Sequence, residues 1–248
     1  MKKHWKKLVT AVVAIVVIVI GATFVYVNFI KEEADPEFTI DDGKDLLATT
    51  TAPDQPVTTE VTGGTETTVA QVVADGVEGE WVIAAGSEVG YRVDESINGF
   101  DTTANGRTQA VTGEFTIGAT SVTAGEFVVD MTTFKSDQSR RDGQFNGRIM
   151  DVANFPTSTF TLTAPIDFKQ VPTDGSTITA SATGDLTLKG TTLPVTFEVD
   201  ATFLNGRVAV VGQIPIVFAD YGIENPSFGT ITTEDNGILE FVLAFDRA

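Results

Sequence analysis

No cysteine occurs anywhere in the 248 residues. Disulfides, thiol nucleophiles, thiolate metal sites and a lipidated N-terminal cysteine are therefore excluded. Histidine is almost as scarce, since His4 is the only one. It precedes a long apolar run, so nothing beyond that run can build a Ser-His-Asp or Cys-His centre. The common zinc sites are excluded with it. There is no Gly-rich strand-to-helix phosphate loop, and Asn225-Pro226-Ser227-Phe228-Gly229 does not fit a nucleophile elbow. Paired carboxylates are the catalytic device left open. Most acids, however, fall on outward strand parities or in turns, where solvation accounts for them. The reading is a protein that is not an enzyme and needs no cofactor or metal.

Positive charge is also in short supply, with 16 Lys and Arg against 34 Asp and Glu. Four of the cations precede Ile30 and every acid follows it, which leaves the chain beyond that point at −22. A nucleic acid partner is argued against, because phosphate must be neutralised by Lys and Arg. So is broad electrostatic adhesion to anionic lipid. Solubility outside a cell is the plain use of such a charge.

Long hydrophobic runs are absent but for one. Residues 8–30 carry no charge and suffice to cross a bilayer core of roughly 30 Å. Lys2, Lys3, Lys6 and Lys7 precede this run, and Lys31-Glu32-Glu33-Ala34-Asp35 follows it. The positive-inside tendency places residues 1–7 in the cytoplasm and the rest outside. A cleaved signal peptide is the competing reading. Its apolar region spans about 7–15 residues and ends at a small-x-small site, which Val25-Tyr26-Val27-Asn28-Phe29 does not offer. Residues 8–30 are thus expected to be a single-pass signal anchor.

From 31 to 78 the chain is Thr-rich and acidic, with Pro53, Pro56, Gly63 and Gly64 and few aromatics. Such a segment buries too little apolar surface to offset its ordering entropy, and a disordered stalk is expected. Asp41-Asp42-Gly43-Lys44-Asp45 lacks calcium-loop spacing.

Residues 79–248 read as one all-β domain. Asn98-Gly99, Asn105-Gly106, Asp174-Gly175, Asn205-Gly206 and Asn236-Gly237 are turn signals. Between them lie expected strands at 81–95, 107–118, 121–134, 157–167, 176–189, 192–204, 206–218 and 237–246, with a short helix or lid at 137–151. Eight antiparallel strands at this spacing suit a sandwich or an up-and-down barrel. Strand parity puts Phe115, Phe127, Val129, Phe160, Leu162, Leu186 and Leu188 on one apolar face. Phe197, Val199, Phe241 and Leu243 join them, as do the small residues Ala180, Ala182 and Gly184. The strand at 206–218 is apolar on both faces over 208–218, and Pro215 marks an edge or bulge in it. Small barrels are either filled by side chains or hold one small ligand. Parity alone does not separate these, so a ligand cavity and a filled scaffold or interaction module both stand. Open barrels with exposed edges often dimerise, and a homodimer is kept as an option.

Five stretches in series resemble the YceI family of lipocalin-like, polyisoprenoid-binding proteins. They are Gly79-Glu80-Trp81-Val82; Val111-Thr112-Gly113-Glu114-Phe115; Arg141-Asp142-Gly143-Gln144-Phe145 with Met150-Asp151-Val152-Ala153-Asn154-Phe155-Pro156 and Phe160; Gly184-Asp185-Leu186-Thr187-Leu188-Lys189-Gly190-Thr191-Thr192-Leu193-Pro194-Val195; and Asp220-Tyr221-Gly222-Ile223. The family's usual aromatic pair before the Asp reads Ile149-Met150 here, and its Leu reads Phe145. The resemblance implies an eight-stranded lipocalin-like antiparallel barrel holding an isoprenoid or other long-chain lipid along the apolar face just described. A head group would be sought at Arg140, Arg141 and Arg148, since Arg can hold phosphate bidentately. Pairing of Arg141 with Asp137 or Asp142 is the competing reading.

Overall fold

The computed structural model describes residues 2–31, 33–49, 76–172 and 175–248. Most of the expected stalk, residues 50–75, lies outside the described residues, as does Asp174 of the Asp174-Gly175 turn.

Helix α1 (Lys2–Val25) continues into a π-helical turn, Tyr26–Ile30. The stretch Trp5–Ile30 is long and apolar enough to cross a membrane by length and composition. Residues 33–39 run as a strap along the barrel's outer wall and lead into helix α2 (Ile40–Thr49). Within the segment expected as a stalk, residues 40–49 are thus this helix. Its start has a capping box: Asp42 Oδ2 accepts from the Thr39 amide at 2.7 Å, and the Asp42 amide donates to Thr39 Oγ1 at 3.5 Å. The acidic Asp41-Asp42 pair that resembled a fragment of a calcium loop is the first turn of this helix.

Twelve strands follow: β1 (Gly79–Ile83), β2 (Glu88–Ile97), β3 (Phe100–Thr108), β4 (Val111–Gly118), β5 (Ser121–Asp130), β6 (Thr157–Ala164), β7 (Ile166–Asp167), β8 (Thr177–Leu188), β9 (Thr191–Leu204), β10 (Arg207–Val217), β11 (Ile231–Thr233) and β12 (Asn236–Arg247). The order β1-β4-β5-β6-β8-β9-β10-β12, closed by β12 on β1, makes an eight-stranded antiparallel barrel. The first half of β12 pairs instead with β2, which carries β3 and β11. This flap extends the wall at one end of the barrel, here called the mouth. Helix α3 (Ser139–Gln144), prolonged by a π turn Phe145–Ile149, lies at the same end, where a short helix or lid is expected from the sequence.

Several boundaries differ from the sequence reading. The expected strand 81–95 is split where Ser87 Oγ donates to the Ala84 and Ala244 carbonyls, at 2.8 and 3.2 Å. Strand β3 was not expected. Asn105-Gly106, taken as a turn, pairs with Arg92 and Tyr91 inside it. Gly106 is there because the Tyr91 ring lies over it: a Cβ would sit 2.6 Å from the ring. Asn236-Gly237 opens β12 rather than closing a turn. The β8–β9 hairpin turns on Lys189-Gly190, where both φ angles are positive, so that Leu188 pairs Thr191.

Strand β10 is buried on both faces for a reason inside the chain. Val208, Val210, Ile214 and Ile216 point inward, while α2 covers Ala209 and Val211. Leu47 of α2 is 2 % exposed and packs with Ala84, Ala209 and Ala244. Pro215 lies where β10 has left β9 and pairs only with β12, so its missing N–H breaks no ladder toward β9.

Candidate functional site

Inside the barrel the apolar parities converge. Two chambers result. The lower, of about 200 Å³, is lined by Phe115, Phe127, Val129, Phe160, Leu162, Ala180, Ala182, Leu186, Phe197, Val199, Phe241 and Leu243. The upper, of about 570 Å³, lies at the mouth and takes in Leu188. Leu239 lines both. The wall residues singled out by parity, Gly184 apart, therefore line one chamber or the other.

The lower chamber stays hollow because of where its rings lie. Gly113 pairs with Phe127 and Gly212 with Phe241 across neighbouring strands. A Cβ on Gly113 would come within 2.5 Å of the Phe127 ring, one on Gly212 within 2.5 Å of Phe241, and one on Gly184 within 2.4 Å of Phe160. The three rings rest on bare backbone of the next strand instead of projecting toward the axis. Large residues beside small ones would ordinarily fill a core; here the pairing flattens the large ones against the wall. Trp81, fully buried, closes the base, with its indole N–H donating to the Val77 carbonyl at 2.9 Å.

The upper chamber is more polar. Tyr91 stacks on Phe145, their ring centres 4.8 Å apart, and Phe134 lies against Phe145 at 5.1 Å. Burial pushes the Tyr91 phenol above its ordinary value; Asp142 and Glu95 act in the same sense and Arg141 against. Glu95, 8 % exposed, lines this chamber from β2. Arg141 Nη2 reaches Glu95 at 3.2 Å, and its other nitrogen pairs with Asp137. Lys31 reaches over the rim to the same carboxylate. Its Nζ donates to Thr102 Oγ1 at 2.8 Å and to the Thr103 carbonyl at 2.9 Å, with Glu95 at 4.0 Å. Burial lowers the Lys31 pKa, Glu95 opposes that shift, and Arg141 adds to it.

The three arginines expected at a head group are not brought together. Arg141 is occupied by two carboxylates. Arg148 donates to the Pro226 and Asn225 carbonyls at 2.7 and 3.3 Å, tying the π turn to the loop opposite. Arg140 and Arg141 both line the upper chamber and Arg148 does not; Arg140 is exposed, 5.5 Å over the Phe228 ring. Among the described residues no cluster of His, Asp and Glu could hold a metal ion. Glu95 and Tyr91 were not picked from the sequence. A signal was present: Val89, Tyr91, Val93, Glu95 and Ile97 share one parity, so Glu95 is an acid on an apolar face. Lys31, Tyr26 and Phe228 reach the mouth from distant segments and left no such trace.

A family model described as the YceI-like domain matches residues 81–245. Solved structures of the same fold include BcnA from Burkholderia cenocepacia, 20% identical over 65% of this chain and 98% of that one, with a TM-score of 0.51. A polyisoprenoid binding domain from Saccharophagus degradans, implicated in plant cell wall breakdown, is 16% identical over 69% of this chain and 99% of that one, with a TM-score of 0.54. No curated protein sequence matches the chain.

Proposed function

The chain belongs to the YceI-like family, and from that premise we propose that its barrel binds the apolar chain of a polyisoprenoid or similar amphiphilic lipid, outside the cytoplasm, anchored by α1. The observation that carries this is the pair of chambers inside the closed eight-stranded wall, one almost wholly apolar, with Leu239 lining both. Each methylene moved from water to such a wall gains roughly 0.8 kcal/mol, with no polar partner required along the tail. The polyisoprenoid binding domain of Saccharophagus degradans has the same fold, which supports the same class of ligand here.

The head end of the ligand would lie in the upper chamber. There Arg141 is already balanced by Glu95 and Asp137. That balance favours an uncharged or weakly polar head, such as a quinone ring or an alcohol, over a diphosphate. Lysines before the apolar run 8–30 and acids after it support an orientation with the barrel outside. The protein would sequester or shuttle such lipids and carry out no chemistry on them. Native mass spectrometry of the full chain, purified with cell lipids and released from detergent, tests this. Retention of a prenyl or other long-chain lipid at one copy per barrel is expected. Bare protein that also fails to take up added prenol and quinone overturns the reading.

A further inference from the structure

We propose that the mouth of the barrel is seated directly on the bilayer crossed by α1, so that the upper chamber opens to lipid at the membrane surface. This rests on the lipid-binding reading for its purpose, but its geometry stands on separate observations.

The first is contact with the end of the apolar run. Asn98, at the tip of the β2–β3 hairpin, donates to Thr23 Oγ1 at 2.8 Å. The Phe100 ring lies 5.8 Å from that of Phe24. Gln138, just before α3, donates to the Tyr26 hydroxyl at 2.9 Å, and Tyr26 itself lines the upper chamber. Thr23, Phe24 and Tyr26 all lie within the stretch Trp5–Ile30. Rim residues that touch the last turns of a spanning helix sit at the depth of those turns.

The second is that no spacer intervenes. Lys31 is already inserted in the rim. By Asp35 the strap is bonded to the wall: the Asp35 carbonyl accepts from Arg92 at 2.5 Å and its carboxylate from Asn105 at 3.1 Å. Pro36 and Phe38 contact Arg107, the ring 3.8 Å from its guanidinium. Leu47 then closes the dock. A barrel held this way cannot swing off the surface.

The third is the rim itself. Phe228, 50 % exposed, is the most exposed large apolar side chain among the described residues of the barrel. Its loop is bound to the hairpin tip, where the Asn98 amide donates to the Thr230 carbonyl at 3.0 Å. An exposed apolar ring beside an arginine suits a membrane–water interface, where the ring can enter the acyl boundary while the cation reaches water. With −22 charges on this side of the helix, general electrostatic attraction does not explain such seating. Insertion and tethering do.

Because the chain has no cysteine, single-cysteine fluorescent labels test the seating in the full chain. It would be reconstituted in phosphatidylcholine nanodiscs, with Phe228→Cys at the mouth and Thr120→Cys at the far end. The label at 228 should be quenched by nitroxide lipids and protected from iodide, and the label at 120 the reverse. Equal iodide quenching at both, without lipid quenching at 228, overturns the proposal. A long Gly/Ser insert between Ile30 and Lys31 leaves strap and barrel intact but frees the mouth. Transfer of a fluorescent prenol from the same bilayer should then slow by about ten-fold as effective concentration falls, with binding in detergent unchanged. Unchanged transfer rejects the portal. If neither chain binds prenol in detergent, the lipid-binding reading fails, while the label depths still decide the seating.

Discussion

A phenyl ring on the inner face of a barrel can project to the axis or lie along the wall, and the neighbouring strand decides which. Opposite Phe241 stands Gly212, and the ring occupies the volume a side chain would take. Gly212→Ala tests this at the cleanest of the three positions, because the three atoms nearest its Cβ all belong to the Phe241 ring, whereas backbone atoms crowd the other two. The ring is expected to lift into the lower chamber. Overpacking of this size costs about 1–3 kcal/mol, read by urea unfolding, and prenol uptake should fall in step. Loss of stability with full uptake would mean the ring had found another wall position. Tyr91 gives a second residue-level test. Burial holds its phenol above 10.0 in the folded protein. As pH rises past 10, the unfolded chain gives up this proton while the folded one keeps it, so the unfolded state binds fewer protons and stability falls. Tyr91→Phe keeps the stack on Phe145 and removes the proton. Its unfolding midpoint should therefore lose less between pH 9.5 and 11 than that of the wild type.

At the scale of elements, the alternating strands were legible because one face meets the chambers and the other meets water. The faces of β4, β5, β6, β8, β9 and β12 all follow the sequence reading. The strap and α2 were not legible, for a physical reason. Their composition is that of a linker, and they are ordered by a surface prepared elsewhere. Gly43 allows close approach, a Cβ there standing 3.1 Å from that of Ala209, while Ala244 is fully buried beneath the same helix. The apolar outer parity of β10 was the visible half of this contact. Glu240 was the other hidden part. It lies on the outward parity, as read, yet is fully buried. Arg107 donates to its Oε1 at 2.9 and 3.1 Å, and Arg92 stands 3.5 Å from Oε2. Arg107→Ala leaves that buried carboxylate with Arg92 as its one remaining cation and without the two hydrogen bonds from Arg107, a change that costs about 3–5 kcal/mol. Glu240→Gln leaves cations that still reach water at their edges, so it should cost clearly less. Chemical unfolding of the two variants checks the order, and a larger loss for Glu240→Gln would mean that the carboxylate is not the group at risk.

For the molecule as a whole, the covering segment and the barrel form one folding unit although residues 50–75 separate them in sequence. The family model begins at residue 81, so a fragment 76–248 is the natural excision for study. It would contain every barrel strand. It would also uncover Ala209, Val211, Ala244 and the Glu240 cluster together, a contiguous outward patch of the kind that seeks a partner. Fragment 33–248 keeps that patch closed. The shorter fragment should be less stable by about 2–5 kcal/mol, the loss of Leu47 packing alone being of that order. It should also self-associate in sedimentation at concentrations where 33–248 stays monomeric. A synthetic peptide covering 33–49, added in trans, should restore both. Equal stability and equal sedimentation of the two fragments would show that the strap rests on the wall without holding it.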